Sequence, residues 1–588
     1  MTHELLPPPD TLHLIPGVAN PHGAHEARLF LLSGDATAGP VRSIVPRGGV
    51  TLPKAPQRPA DCPFRLRILH VNDLHGAVVR HTAHGDLPVL SRMVSRLRSL
   101  RSQHRTDADS AVLAFLGGDN FVGHLLEDEL DAGYQVFSKA GVDVGVLGNH
   151  DFDRGAAALA HGISQGARFP LLSANLIPHP DLQDVSHPAA IFVFNGLRIG
   201  LIGLTTRAEI KGCADVELVD PSEVLFNLLP AMRPLCDVLI VVSHLGYSIV
   251  ARPDIIRDVG DVELAQQLPR GSVDLIVGGH SHQALNKSGL DVSNVISGIP
   301  IVQAGAHGRF VGDVDITVQG EHVAVTSARL AWTADLPVDE AFEREQVRPL
   351  IARLRKRAER SLGQVADHSD LTTDAVRNHF AARELALMNF VTDALVARCR
   401  AAGLSVDFAM LDSSCIHAGL PVGGALTLGD WRQVMPYADT VEVRDVTAEQ
   451  LHMLLQDNAR RMDRPDEPHL ERGFLHFSQH VRYQIDLGTN REEARATHIT
   501  WRDIPLDDLQ ERTFRVASSG CVRRQAQAWE EDVVQQERLD PFRLADLPRR
   551  GTDLVLRDEL MTYIKAHGGV TEKGGARRDG RLHVSSRR

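Results

Sequence analysis

Five short runs of Val, Ile and Leu, each ending in a polar cluster, constrain this chain more than any other feature. RLRILHV, AVLAFLG, VDVGVLG, CDVLIVVS and VDLIVGG lead into HVNDLHG, GGDNF, GNHDFD, SHLGY and GGHSH. Apolar runs of this length read as strands buried on both faces. Helix-like stretches such as PVLSRMVSRLRSLRSQ and PSEVLFNLLPAM alternate with them. That alternation predicts an α/β domain. In open α/β sheets, ligands bind beyond the carboxyl ends of the strands. Five such ends bearing Asp, Asn and His are therefore positioned to converge on one point.

The chain has 588 residues, enough for several domains. Residues 1–63 are rich in Pro and Gly and are expected to form an arm or small appendage, with ARLFLLSG as a strand candidate. The first α/β domain is expected over 64–335. It closes with strands in IVQAGAHGRFVGDVDITVQG and VAVTSARLAW. The charged stretch VDEAFEREQVRPLIARLRKRAERSLG has apolar residues at helical spacing. It predicts a connecting helix over 336–363, with Gly363 as its stop. A second α/β unit is expected over 364–569. The basic tail, 570–588, lacks apolar periodicity and is expected to be disordered.

The formal net charge of -12 argues against a nucleic-acid polymer as partner. It permits a small phosphorylated substrate, because bound cations would reverse the charge of a site locally. The six cysteines form no C-x-x-C pair and read as thiols of a reducing compartment. The first residues lack a basic stretch followed by an apolar one, and no run approaches the roughly 18 apolar residues of a membrane span. The expectation is a cytoplasmic protein with no membrane segment.

The polar clusters suit one chemistry. Asp and His are ligands for Mn, Zn, Fe or Co, and no thiolate is involved. Asp73 and His75 are one residue apart, so extended backbone would project both to one side. Asp119 has two carboxylate oxygens and can bridge two ions. Asn149 offers a neutral amide oxygen, and His244 stands at the end of the fourth run. His280 and His282 repeat the i, i+2 spacing on a Gly-rich turn. Seven ligands exceed what one tetrahedral ion requires. Two divalent ions sharing Asp119 would use them all, and such a pair, about 3.5–4 Å apart, clamps a phosphoryl group during in-line displacement. His150 follows a ligand directly, and Asp153 is spaced to hydrogen-bond its ring. A His so held can stabilise developing charge or protonate a leaving alkoxide. Singly, each motif is weak: GGDN makes a turn, and Asp151 or Asp153 could cap a helix. Five at successive strand ends, in order, carry the reading together.

The order D-x-H, G-D-N, G-N-H-D-x-D, H and G-H-x-H resembles the calcineurin-like metallophosphoesterases. Within them it resembles the 5′-nucleotidase / UDP-sugar hydrolase / 2′,3′-cyclic phosphodiesterase family, over about Leu66 to Gly569. The resemblance implies a metallophosphoesterase β-sandwich flanked by helices, then a linker helix and an α/β substrate domain of 5′-nucleotidase type. It implies one ion held by Asp73, His75, Asp119 and His282, and a second by Asp119, Asn149, His244 and His280. His150 and Asp153 would be the catalytic dyad. A metal-bridging hydroxide would attack the phosphorus of a nucleotide in line.

In the second domain, ARELALMNFVTDAL and DFAMLDSSCIHAGLPVGGALTLGDWRQVMPYADT resemble the family's substrate segments. They offer Arg383 for phosphate, with Asp412, His417 and Tyr437 as further substrate residues. Asp412 stands at an Asn position, Ser413 and Ser414 replace glycines, His417 stands where Arg is expected, and Tyr437 replaces Phe. RVASSGCVRRQAQAW lacks the second base-stacking aromatic, for which Trp529 is a candidate. An Arg-to-His change exchanges a permanent cation for one mostly neutral near pH 7. These departures keep alternatives open: a cyclic-nucleotide phosphodiesterase, a hydrolase of sulfur-oxyanion conjugates, or a non-catalytic binding protein.

Overall fold

In the computed structural model the run RLRILHV forms the strand Phe64–Val71, and its side chains alternate between two buried faces. Phe64, Leu66 and Ile68 enter one core; Leu69 and Val71 enter another. Arg67 reaches the surface side and donates to Asp313 through Nε at 2.6 Å and Nη2 at 2.7 Å. A slip of one residue would drive Arg65 and Arg67 into the apolar core, which fixes the register. The structure describes residues 10–24, 27–53, 63–82, 85–105, 107–121, 125–207, 210, 216–251, 256, 259–412, 415–464, 473–520 and 547–585. Ser413, Ser414 and Trp529 lie outside them.

The chain divides into two units, Met1–Leu354 and Arg355–Arg588. The first is built on two sheets. One has seven strands in the order Ser186–His187, Leu171–Leu172, Val144–Val146, Ser110–Leu116, Phe64–Val71, Phe310–Gln319 and His322–Trp332. The other has nine, and Leu197–Thr205, Val238–His244, Leu275–Val277 and Ile299–Val302 are its parallel centre. A core of Leu66, Ile68, Leu113 and Phe115 against Ile199, Leu201, Ile240 and Val277 fills the space between the sheets. Helices cover the outer faces. Val89–His104 and Leu130–Ala140 bury Leu90, Val94, Leu97 and Phe137 over one sheet. Pro221–Met232 buries Val224, Leu225 and Leu228 over the other. At about 1.5–3 kcal/mol per fully buried large aliphatic side chain, these three layers are the main source of the unit's stability. The architecture is the helix-flanked β-sandwich that the resemblance implied.

Residues 1–63 are not a separate appendage where they are described. Thr11–Gly17, Arg28–Ser33 and Ser43–Pro46 are strands of the nine-stranded sheet, with Arg28–Ser33 paired to Ala189–Phe194. Leu12, Leu14 and Leu32 are buried in the core beneath Pro221–Met232. The remote partner of Arg28–Ser33 lies some 160 positions on, so no local pattern announces that pairing.

The connecting helix is present, but its stop differs. It runs through Glu340–Phe342, a wider turn at Glu343–Val347, and Arg348–Ala358. Gly363 instead lies within the strand Ser361–Val365, with φ +142. A Cβ there would come 2.4 Å from the backbone of Gly568, so the glycine serves close strand packing.

The second unit has sheets of five, four and three strands. Phe408–Leu411, Thr513–Ser519 and Thr440–Thr447 form the centre of the largest. The helix Ala386–Ala401 buries Leu387, Phe390, Val391 and Leu395. The tail is not disordered where it is described. Leu582–Ser585 is a strand parallel to Val481–Asp486, and Arg581 is buried against Asp393 and Asp579. A four-residue strand supplies too little pattern to be read when its partner is about 100 positions away. Among the described residues no helix is long and apolar enough to cross a membrane.

Candidate metal centre

Three of the loops that leave parallel strands of the first unit, those after Phe64–Val71, Ser110–Leu116 and Leu275–Val277, turn through left-handed backbone. Asp73 (φ +51), His75 (+47), Asp119 (+53), His280 (+71) and His282 (+58) all lie in this region, which costs a residue with a Cβ about 1–3 kcal/mol. The expectation of extended backbone at Asp73 and His75 is therefore corrected. Instead, their loop zips to the next one. The N–H groups of Asp73, His75 and Gly76 donate to the carbonyls of Gly118, Asp119 and Asn120 at 3.0, 3.1 and 2.7 Å. Strain concentrated at five polar residues on loops from both sheets marks a functional site.

Two triads result. In Asp73, His75 and His282, and in Asp119, His244 and His280, one donor atom from each residue lies within 4.8 Å of the others. The Nε2 atoms of His75 and His282 are 3.0 Å apart. Asp73 Oδ1 lies 3.3 Å from His282 Nε2, 3.8 Å from His244 Nε2 and 3.9 Å from His75 Nε2. Its Oδ2 accepts from the His280 N–H at 2.9 Å and from Asn72 Nδ2 at 2.7 Å. Asp119 Oδ2 lies 3.0 Å from His244 Nε2. His244 Nδ1 donates to the Gly117 carbonyl at 2.6 Å, which turns Nε2 inward as a donor atom for a cation.

This donor set fits two divalent cations. Asn149 is fully buried, and neither its amide oxygen nor its nitrogen has a hydrogen-bond partner among the described residues. An unpaired buried amide costs about 1–3 kcal/mol, and a cation on Oδ1 would remove part of that. Among the described residues the ion pairs of Asp73 and Asp119 are all with histidines. Burial disfavours both carboxylates, yet the charge of His244 holds each below its usual range. Burial likewise disfavours charge on His244, but Asp119 and Asp73 hold it up to about 10. Two buried carboxylates thus depend on imidazoles for positive charge, a task cations would take over.

His150 stands at the half-buried edge of the centre, its ring 6.2 Å from that of His75. Its Nδ1 lies 3.0 Å from Oδ2 of buried Asp153. The turn Asn149–Phe152 is closed by Asp151, whose Oδ2 accepts from Gly148 N at 2.8 Å. All nine residues expected for the metals and the dyad therefore follow strand ends of the two sheets of the first unit, Asp73, His75, Asp119, Asn149, His150 and Asp153 from the seven-stranded sheet and His244, His280 and His282 from the nine-stranded one.

The four expected substrate residues lie in the second unit. His417 and Tyr437 form an edge-on ring pair at 5.2 Å. Tyr437 also lines a cleft with Cys415, Asp439 and Arg557. Asp412 is buried directly after the strand Phe408–Leu411. Arg383 Nη2 donates to Asp370 Oδ1 at 3.1 Å, while Arg578 Nε lies 2.8 Å from the other oxygen of that fully buried carboxylate. Neither Arg578, in the stretch expected to be disordered, nor Asp439 carries a signal in the sequence, and Gln303–Arg309 beside the triads, in a run expected to form strands, is a loop between Ile299–Val302 and Phe310–Gln319. Only the glycines of QAGAHGR hinted that this last segment is more than a strand end.

Residues 66–284 match the calcineurin-like phosphoesterase family, and residues 362–524 match the 5′-nucleotidase C-terminal domain. The chain is 28% identical over 448 residues to a 5′-nucleotidase of Vibrio cholerae, covering 69% of this chain and 77% of that protein. It is 30% identical over 293 residues to protein UshA of Escherichia coli, covering 46% and 52%. A crystal structure of a putative 5′-nucleotidase from Staphylococcus aureus shares the fold at a TM-score of 0.62 and 17% identity, over 89% of this chain and 100% of that one.

Proposed function

The chain carries a calcineurin-like phosphoesterase domain over residues 66–284 and a 5′-nucleotidase C-terminal domain over residues 362–524, and from that premise we propose that it hydrolyses nucleotides at a dinuclear metal centre. The carrying observation is the pair of triads, Asp73–His75–His282 and Asp119–His244–His280, beside the His150–Asp153 pair. Asp73, His75 and His282 would hold one ion. His244, His280 and Asn149 would hold the other, with Asp119 reaching both. The donors are carboxylate, imidazole and amide, which suits Mn, Zn, Fe or Co.

When bound, such ions supply Lewis acidity at the phosphoryl oxygens and a water nucleophile at neutral pH. The remaining work falls to the chain. A water oxygen bonds to phosphorus in line as the P–O ester bond breaks; one water proton stays on the phosphate formed, and the other, released to solvent, balances the proton that the leaving oxygen takes up. Asp153 fixes the His150 ring through Nδ1 and favours its protonated form. His150 then donates a proton to the leaving alkoxide or a hydrogen bond to the phosphoryl oxygens as charge builds there. In the second domain, His417 and Tyr437 offer an aromatic pair to a base, and Arg383 a guanidinium to phosphate, while Asp412 contributes a carboxylate to the same substrate. The naming of the Vibrio cholerae relative as a 5′-nucleotidase supports nucleotides over sulfur-oxyanion conjugates or a purely binding role.

The test is a screen of the purified protein, loaded with Mn²⁺ or Zn²⁺, against nucleoside monophosphates, nucleotide sugars and cyclic nucleotides. Turnover lost together with both ions in Asp119→Ala is expected. Two ions bound, with no phosphoester turned over, would end the proposal.

A further inference from the structure

The loop Gln303–Arg309 has no part in the reading above, yet it is fastened to both triads. Gln303 is fully buried; its Nε2 donates to the Gly279 carbonyl at 2.6 Å, and its Oε1 accepts from Ser281 Oγ at 3.0 Å and Gln283 N at 2.6 Å. That ties the loop to the segment bearing His280 and His282. Asn72 ties it to the other segment, donating to the Gly305 carbonyl at 2.7 Å and accepting from Ala304 N at 2.8 Å. The His307 N–H then donates to the carbonyl of Asp73 at 2.8 Å. His307 shares the left-handed backbone of the ligand residues, at φ +54. A histidine held there by so many fixed groups follows the pattern of backbone strain retained at a site.

The side chain is exposed, whereas the triads are mostly buried. Its ring lies 5.1 Å from that of His75, tilted to it, and 5.9 Å from that of His282, edge-on to it. It stands outside the triad that Asp73, His75 and His282 close, so it flanks the cation position from the open side. Burial disfavours charge on its ring, as do His282, Arg309 and Arg80, while Asp73 acts in the opposite sense. Two guanidinium groups, Arg80 and Arg309, thus act on this rim of the first triad, and the His307 ring offers an N–H donor in either its protonated or its neutral form.

We propose that His307 is a further substrate-binding residue of this centre, donating a ring N–H to an oxygen of the phosphate held at the metals, with Arg80 and Arg309 supplying the surrounding positive charge. This rests on the phosphoester reading. It adds a contact from the first unit itself, independent of the second.

The experiment uses the full chain loaded with Mn²⁺. Inorganic phosphate is titrated by calorimetry into the native protein, His307→Asn and His307→Ala, with bound metal counted in each. Asn tolerates left-handed backbone, so that variant keeps the loop. The phosphate Kd is expected to rise about tenfold or more in both variants, the size of one hydrogen bond to a charged group, with metal content unchanged. KM for an aryl phosphate should rise while kcat changes less. An unchanged phosphate Kd overturns the inference, and so does loss of an ion, which would make His307 a ligand or a structural residue. Native protein that binds both ions and phosphate without turning over any ester would instead count against the function proposed above. Native protein that binds no phosphate would overturn both.

Discussion

The backbone N–H of His150 donates to Oδ1 of Asp119 at 3.0 Å, while the Oδ2 of the same carboxylate lies 3.0 Å from His244 Nε2. One carboxylate thus sets the position of the dyad histidine and meets a ligand of the second triad. Displacing Asp119 would disturb both, whereas altering the imidazole of His150 leaves the triads alone. His150→Asn is therefore expected to keep both ions and to lower kcat by about 10²–10⁴-fold. Asp153→Asn removes the charge behind the ring but keeps its packing, and is expected to lower kcat less. Steady-state kinetics beside elemental metal analysis checks both. A His150→Asn protein with full activity would remove the dyad from the mechanism.

Gly148 gives a second test of Asp119. Its backbone is extended, at φ −94, so alanine is permitted there by conformation. Space is the obstacle, because a Cβ would lie 2.1 Å from Asp119 Oδ1 and 2.7 Å from Asp119 N. The carboxylate must move. Gly148→Ala is expected to weaken metal binding about 10–100-fold, the range seen when ligand orientation is disturbed. Overpacking adds a stability loss of about 1–3 kcal/mol. Calorimetric Mn²⁺ titration reads the first and urea unfolding the second.

These contacts explain what the sequence could and could not disclose. The ligand loops were legible because apolar runs announce strands and because Asp, Asn and His have one common use at strand ends. The conformation of those loops was not, since Asp73 and His280 carry no glycine-like signal for left-handed backbone; it is imposed by hydrogen bonds to neighbouring loops. His307 was hidden for the same reason, its role depending on Asn72 and Gln303, which read as ordinary polar residues. Arg28–Ser33 and Leu582–Ser585 are short strands that pair with strands remote in the chain, and pattern along the sequence is blind to such pairing.

His476 in the second unit provides a pH test away from the metal centre. Burial lowers it to about 4 from the ordinary 6.5, against a smaller opposing effect of its 2.8 Å hydrogen bond to the Phe380 carbonyl. The unfolded chain therefore binds a proton that the folded unit refuses. The stability contribution is complete above pH 6.5 and is lost as pH falls from 6.5 to about 4, by about 3 kcal/mol at most. His476→Gln can keep the hydrogen bond and cannot be charged. Urea unfolding followed by fluorescence of buried Trp431 should show a stability that falls less between pH 7 and 5 in the variant than in the native protein. Equal slopes would mean that the imidazole accepts its proton in the fold.

Arg581 tests the ordered tail. Its Nη1 and Nη2 donate to the two oxygens of Asp393 at 3.0 and 2.8 Å, its Nε donates to Asp579 Oδ1 at 3.0 Å, and Nη1 also reaches the Phe477 carbonyl at 3.2 Å. Only 5% of the side chain is exposed. Removing one partner of a buried pair leaves the others uncompensated, at about 3–5 kcal/mol. Arg581→Ala is expected to destabilise the second unit by that amount. Arg581→Lys should recover only part of it, because an ammonium cannot make the paired bonds to Asp393. Truncation after Gly580 should cost more than Arg581→Ala, since it also removes the strand Leu582–Ser585 and buried Leu582. A tail lying free in solvent predicts no change in the urea midpoint for any of the three, so the midpoint decides between the alternatives.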